Sequence, residues 1–201
     1  MPSKPKFQRH LSPQFPQERF PYPEEFKAIL RQDLMTFTER CFRHLLPQAQ
    51  YLHNWHLELI ADRLEACRRG EIRRLIINVP PRSLKSILAS VALPAFWLGH
   101  DPSAQILCAS YGQDLGDKLS LDCRQVMGSE WYRGIFPTRL SRLRNSVREF
   151  TTTANGSRMA TSVGGVVTGR GAGLIIIDDP LKPDEAISHM DLNLHDSRDI
   201  A

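Results

Sequence analysis

Leu75-Ile76-Ile77-Asn78-Val79-Pro80-Pro81-Arg82-Ser83-Leu84-Lys85-Ser86 is the stretch on which the reading of this chain turns. The run from Ile72 to Val79 is almost continuously apolar, which suits a central parallel strand covered on both faces. It opens into a loop carrying an arginine, a lysine and a hydroxyl, and a helical pattern follows at once. A second segment, Leu174-Ile175-Ile176-Ile177-Asp178-Asp179, is built alike, with aliphatic residues ending in two acids. Mg-nucleotide chemistry needs such a pair: a lysine and hydroxyl at a strand-to-helix turn, and a carboxylate at the tip of a neighbouring buried strand.

Around these segments the periodicities are regular. Ile29, Leu30, Leu34, Phe37, Cys41, Phe42 and Leu45 form one helical stripe, so a helix is expected from Glu24 to Leu46, ended by Pro47. A second helix is expected from Trp55 to Arg69, with Gly70 as its stop. A third runs from Ser86 to Leu98, with Pro94 near its end as a source of kinking. Gln105–Ala109 reads as a short strand and Asp114–Met127 as a helix. Arg148–Thr153 and Arg158–Val163 flank the turn signal Ala154-Asn155-Gly156 and predict a hairpin. A glycine-rich loop, Gly164 to Gly173, leads into the strand at Leu174. Strands alternating with helices predict an α/β fold with a mostly parallel sheet, helices on both faces and one hairpin insertion.

Residues 1–23 hold Pro2, Pro5, Pro13, Pro16, Pro21 and Pro23, a density that forbids helix or sheet and predicts an extended or disordered arm. Residues 24–54 form a helical N-terminal appendage, and 55–190 the α/β domain. A chain of 201 residues with 41% apolar and 24% charged residues suits a soluble globular protein. Its 26 basic and 22 acidic residues give a net charge of +4, compatible with a polyanion partner without requiring one. No stretch approaches the ~18 apolar residues of a membrane span, and no secretory apolar region follows the N-terminus, so an intracellular protein is expected. Cys41, Cys67, Cys108 and Cys123 include no CxxC pair and read as reduced, buried thiols, not a zinc site. His53 and His56 lack a third ligand cluster.

Phosphates need backbone N–H groups, a helix N-terminus, a lysine and, through bound Mg²⁺, a hydroxyl. Pro81, Arg82, Ser83, Leu84, Lys85 and Ser86 are the candidate cradle, with Lys85 on the phosphates and Ser86 on the metal. The usual GxxxxGK[ST] pattern is broken at both glycines: Val79 and Leu84 stand there, and Pro80 and Pro81 remove two donors. The alternative is an ordinary strand–turn–helix with a solvated lysine. Asp178 would bind Mg²⁺ through water and Asp179 would orient the attacking water; the alternative is a turn initiated by Asp179-Pro180. Adjacent acids at a buried strand tip repel each other without a cation, which favours the metal. Arg82 can act as an arginine finger in cis, and Arg170, within Thr168-Gly169-Arg170-Gly171, as a phosphate sensor or neighbour contact; for both the alternative is a surface charge.

From about Asp33 to His189 the chain resembles the large terminase subunit of tailed bacteriophages and prophages, the motor that packages DNA into capsids. The resemblance rests on Asn54-Trp55-His56, on Gly70 through Arg82, on Ala109-Ser110-Tyr111, on the glycine loop, and on the strand ending in Asp178-Asp179-Pro180. It implies an ASCE-type P-loop NTPase fold, ATP and Mg²⁺ as cofactors, and Asp179 in the place of a catalytic glutamate. It also implies that Trp55 and His56 lie near the adenine. Double-stranded DNA, a small terminase subunit, a portal protein and a homo-oligomeric ring are implied as partners, in the cytoplasm of a bacterial host. Terminases commonly carry deviant phosphate loops with an arginine before the lysine. Residues 191–201 leave the family pattern and no nuclease domain follows, so a truncated prophage remnant, incomplete at the C-terminus, is expected.

Arg139, Arg142, Arg144 and Arg148 form a basic cluster, a candidate DNA contact or a solvated loop. A helicase-like ATPase and a non-enzymatic remnant or binding module are the alternatives to a packaging ATPase.

Overall fold

The structure, a computed structural model, describes residues 22–165 and 171–181. Most of the proline-rich arm, all of the 191–201 tail and Arg170 lie outside the described residues.

The helix expected over Glu24–Leu46 is two helices, α1 (Glu24–Gln32) and α2 (Leu34–Leu45). Asp33 breaks the stripe because its extended backbone lets its carboxylate cap α2, accepting the Thr36 N–H at 2.7 Å. An aspartate is worth more at such a cap than inside a helix. Helix α3 (Trp55–Arg68) ends as expected at Gly70, which takes a left-handed φ of 79°. Helical residues then run from Lys85 through a π-helical stretch, Ile87–Ala92, into α4 (Leu93–His100). Pro94 thus falls in the first turn after a π segment, and not in a simple kink near a helix end.

Five strands follow among the described residues: β1 (Gln105–Ser110), β2 (Leu140–Asn145), β3 (Glu149–Thr152), β4 (Ser157–Ser162) and β5 (Leu174–Asp178). They form one sheet in the order β2-β3-β4-β1-β5. β1 is parallel to both β4 and β5, while β2–β3 and β3–β4 are antiparallel. The fold is therefore α/β with a mixed sheet, which corrects the mostly parallel expectation. The hairpin forms where Asn155, at φ 65°, supplies the left-handed turn residue. β2 occupies ground read in the sequence as a basic loop.

Ile72–Val79 does not join the sheet. Leu75, Ile77 and Val79 pack against the core while Ile76 is 93% exposed, and no backbone ladder engages residues 73–79 among the described residues. A central strand needs cover on both faces, and here only one face has it. Helices likewise cover one face of the sheet among the described residues, not both. α5 (Gln113–Gly128) packs on β1 and β4, and Ile106, Cys108 and Ile176 are buried beneath the helices. Ile175 and Ile177, on the opposite face, are 59% and 62% exposed.

The core joins the N-terminal helices to the sheet. The Phe37 ring of α2 lies 5.3 Å from that of Phe96 in α4 and 5.5 Å from Trp131 in α6 (Glu130–Ile135), a helix the sequence pattern does not announce. The four cysteines are free; Cys41, Cys108 and Cys123 are buried, and burial pushes their thiols up.

His44, on α2, has its Nε2 buried against the Trp131 side without a hydrogen-bond partner among the described residues. Burial first, and the nearby Arg40 charge second, lower its pKa below the ordinary 6.5. The folded chain then binds fewer protons than the unfolded chain below that value, so stability is full above it and declines as the pH falls through the window beneath. Urea denaturation at about pH 7.5 and about pH 5.5 should show the midpoint falling on acidification, with a smaller fall in His44→Leu. Equal falls in parent and variant would remove His44 as a cause.

Candidate functional site

β5 sets the site by alternation: Ile176 and Asp178 turn toward the helices, Ile175 and Ile177 away. Asp178 is consequently 4% exposed at the strand tip. The next residue leaves the strand at φ 48°, and the Asp179 side chain is 50% exposed. Lys85, the first residue of the helix after the loop, reaches across to both. Its Nζ lies 3.2 Å from Asp178 Oδ1 and donates a hydrogen bond to Asp179 Oδ1. Burial works to lower the Lys85 pKa, but the Asp179 hydrogen bond and the two carboxylate charges outweigh it and the net shift is upward. Two residues distant in the sequence thus meet as cation and paired acids.

The second oxygen of Asp178 is held from beneath. Ser90 Oγ donates to Asp178 Oδ2 at 2.9 Å in a buried contact. Ser86, the hydroxyl expected on a metal, is helical and half-buried, with φ −67°. Ser90 lies four residues further along, within the π-helical stretch. Arg158 of β4, fully buried, donates from Nη2 to the Ser90 carbonyl at 2.9 Å. Neither Ser90 nor Arg158 stands out in the sequence as a site residue.

The loop before Lys85 is exposed at Pro80, Pro81 and Arg82 and closed by Ser83 Oγ, which donates to the Pro80 carbonyl at 2.5 Å. Arg82 and Leu84 both adopt left-handed backbone, at φ 64° and 59°. Leu84 therefore holds a conformation that glycine takes freely, at a cost of about 1–2 kcal/mol. His56 Nε2 approaches the Ser83 carbonyl at 3.4 Å, which brings the start of α3 to the loop, and Trp55 beside it is 65% exposed. Lys85, Ser90, Asp178 and Asp179 are thus assembled, with the loop residues Arg82 and Ser83 and His56 adjoining them.

The basic cluster disperses. Arg139 donates to the carbonyls of Phe136, Thr138 and Arg133, and Arg148 faces Asp117 at 3.5 Å. Arg142 and Arg144 are exposed on β2, an edge strand, where arginines also discourage edge-to-edge pairing. Two clefts lie away from Lys85 and its acids. One, of about 280 Å³, includes Arg144 and Glu149; the other, of about 410 Å³, lies between α2 and α3. Comparison with protein-family models gives no match for this chain, and comparison with curated proteins gives none either.

Removing the ammonium from Asp178 leaves a desolvated acid without its cation. Lys85→Met should lower stability by about 1–3 kcal/mol, and much of that loss should return in Lys85→Met/Asp178→Asn. Urea denaturation of the four chains of this cycle measures the coupling, and additive effects would mean that the two groups are not paired in solution.

Proposed function

We propose that this chain carries the ATP-hydrolysing motor region of a large terminase subunit, an ASCE-type P-loop ATPase that drives DNA packaging. One observation carries the proposal: Lys85, at the end of the candidate phosphate loop, lies 3.2 Å from the Asp178 carboxylate and is hydrogen-bonded to Asp179. The parallel trio β4-β1-β5, with acids at the tip of β5 beside a helix that starts at the lysine, is in keeping with it.

The residues fit Mg²⁺ bound together with phosphates. Carboxylate and hydroxyl oxygens are its preferred donors, and the Lys85 ammonium already stands between the acids as a cation would. No group of three or more His, Cys, Asp or Glu side chains among the described residues suits a metal by itself, so phosphate oxygens and waters would complete the shell. Asp178 and Ser86 are the residues that would hold the ion, and its chemistry is to neutralise charge on the phosphates. Lys85 exchanges its carboxylate partners for phosphate oxygens. Arg82, exposed in the loop, folds over the terminal phosphate. Asp179, half-exposed, accepts a hydrogen bond from the attacking water and aligns it. His56 and Trp55 border the loop where the base would lie.

DNA is gripped through phosphate contacts, for which Arg142 and Arg144 are the exposed candidates on β2. A portal protein, a small subunit, a ring of copies and a location in the bacterial cytoplasm follow from the same proposal. No helix among the described residues is long and apolar enough to cross a membrane.

Titration with a fluorescent ATP analogue, with and without Mg²⁺, should show metal-dependent binding. Hydrolysis should be lost in Lys85→Ala and Asp178→Ala, while Arg82→Ala should bind but turn over on the order of 10³-fold more slowly. Unchanged turnover in Lys85→Ala refutes the mechanism. Binding without turnover in the parent identifies a non-enzymatic remnant.

A further inference from the structure

We infer that Arg158 is a positioning residue for Asp178, acting through Ser90 to present one carboxylate oxygen to the cation site; the inference rests on the Mg-nucleotide function proposed above. Arg158 has no exposed surface, yet only its Nη2 has a hydrogen-bond partner among the described residues; Nε and Nη1 have none. It makes no salt bridge among the described residues. A guanidinium buried on such terms costs stability, and an apolar side chain of similar length would fill the space without orphaned donors. Core packing therefore does not account for an arginine here.

What the guanidinium supplies is a donor for one carbonyl. In a regular helix the Ser90 carbonyl would accept from the residue four positions on, but that residue is Pro94, which has no N–H. The stretch Ile87–Ala92 is π-helical, and Arg158 Nη2 donates to the Ser90 carbonyl at 2.9 Å. The same serine donates its hydroxyl to Asp178 Oδ2 at 2.9 Å. With Oδ2 so occupied, Oδ1 is the oxygen left facing Lys85 Nζ at 3.2 Å. A buried arginine on β4 thereby fixes a serine, the serine fixes a carboxylate at the tip of β5, and the carboxylate shows its free oxygen to the cation. Outer partners of metal-binding carboxylates act in this way, and their loss commonly weakens metal affinity by about 10–100-fold.

The test is a Mg²⁺ titration of fluorescent ATP-analogue binding to the parent, Arg158→Met, Arg158→Lys and Ser90→Ala, with thermal melting beside it. Arg158→Met and Ser90→Ala should each need at least about tenfold more Mg²⁺ for half-maximal binding. The affinity of Arg158→Met for the analogue in EDTA should match the parent's, and that variant should still melt cooperatively. Arg158→Lys, which keeps a donor for the carbonyl, should fall between parent and Arg158→Met. The Arg158→Met/Ser90→Ala double variant, titrated alongside, should shift no further than either single one, because both act on one path. A parental Mg²⁺ midpoint in Arg158→Met or in Ser90→Ala overturns the inference. So does an Arg158→Met chain that fails to fold, which would make the arginine a requirement of the core. A parent that binds no analogue in Mg²⁺ overturns the functional proposal and this inference together; a parent that binds, with variants that match it, overturns this one alone.

Discussion

A lysine ammonium held between two carboxylates ties the start of one helix to the end of one strand, and the site depends on that tie. Asp178 is nearly buried, so it needs a cation or strong donors, and it has both in Lys85 and Ser90. The arrangement exists only in one register of β5. A slip of one residue would turn Asp178 to the open face with Ile175 and Ile177, and would bring Asp179 under the helices. The burial of Ile176 beneath the helices fixes that register, so apolar packing sets the position of the charge.

The same region holds most of the backbone irregularity among the described residues. Arg82, Leu84 and Asp179 are non-glycine residues in left-handed conformation, and the helix leaving the loop passes into π geometry within a turn. Each left-handed residue costs about 1–2 kcal/mol relative to its relaxed form. Such conformations persist where surrounding structure imposes them. Here the surroundings are identifiable: the Ser83 hydroxyl closing on Pro80, the Leu84 side chain packed on the core, and the Asp179 carbonyl accepting the Tyr111 N–H at 2.9 Å. Local preference gives way around the Lys85 ion pair.

Much of the framework was legible because it obeys simple periods. α3, α5, β1, the β3–β4 hairpin and β5 fall within a few residues of their sequence-based limits, and Lys85 and Asp178 were recognisable from their places at element ends. What could not be read depends on contacts between distant segments. Asp33 sits in an unbroken apolar stripe, and only its capping bond to Thr36 reveals the break. Ile72–Val79 has a strand's composition, but composition fixes burial and not the partner of a backbone ladder. Ser90 looks like a filler in an apolar helix, and Arg158 looks like an exposed strand residue. Their roles appear only when β4 brings the Arg158 guanidinium to the Ser90 carbonyl.

The direction of the Lys85 shift limits how the site can be switched. A lysine whose folded pKa is raised contributes its stabilisation fully below the ordinary value of 10.5, and loses it only as the pH rises through the higher folded value. Around neutrality the ammonium therefore keeps its charge and its two acids, and proton loss is no route to freeing it. Under the proposed function exchange frees it: another cation takes the carboxylates while anionic oxygens take the amine. A nucleotide carrying a divalent ion offers both partners at once, whereas either alone leaves one side of the exchange uncompensated. Opening the ion pair across residues 85, 178 and 179 therefore has to compensate both the amine and the nearly buried acid.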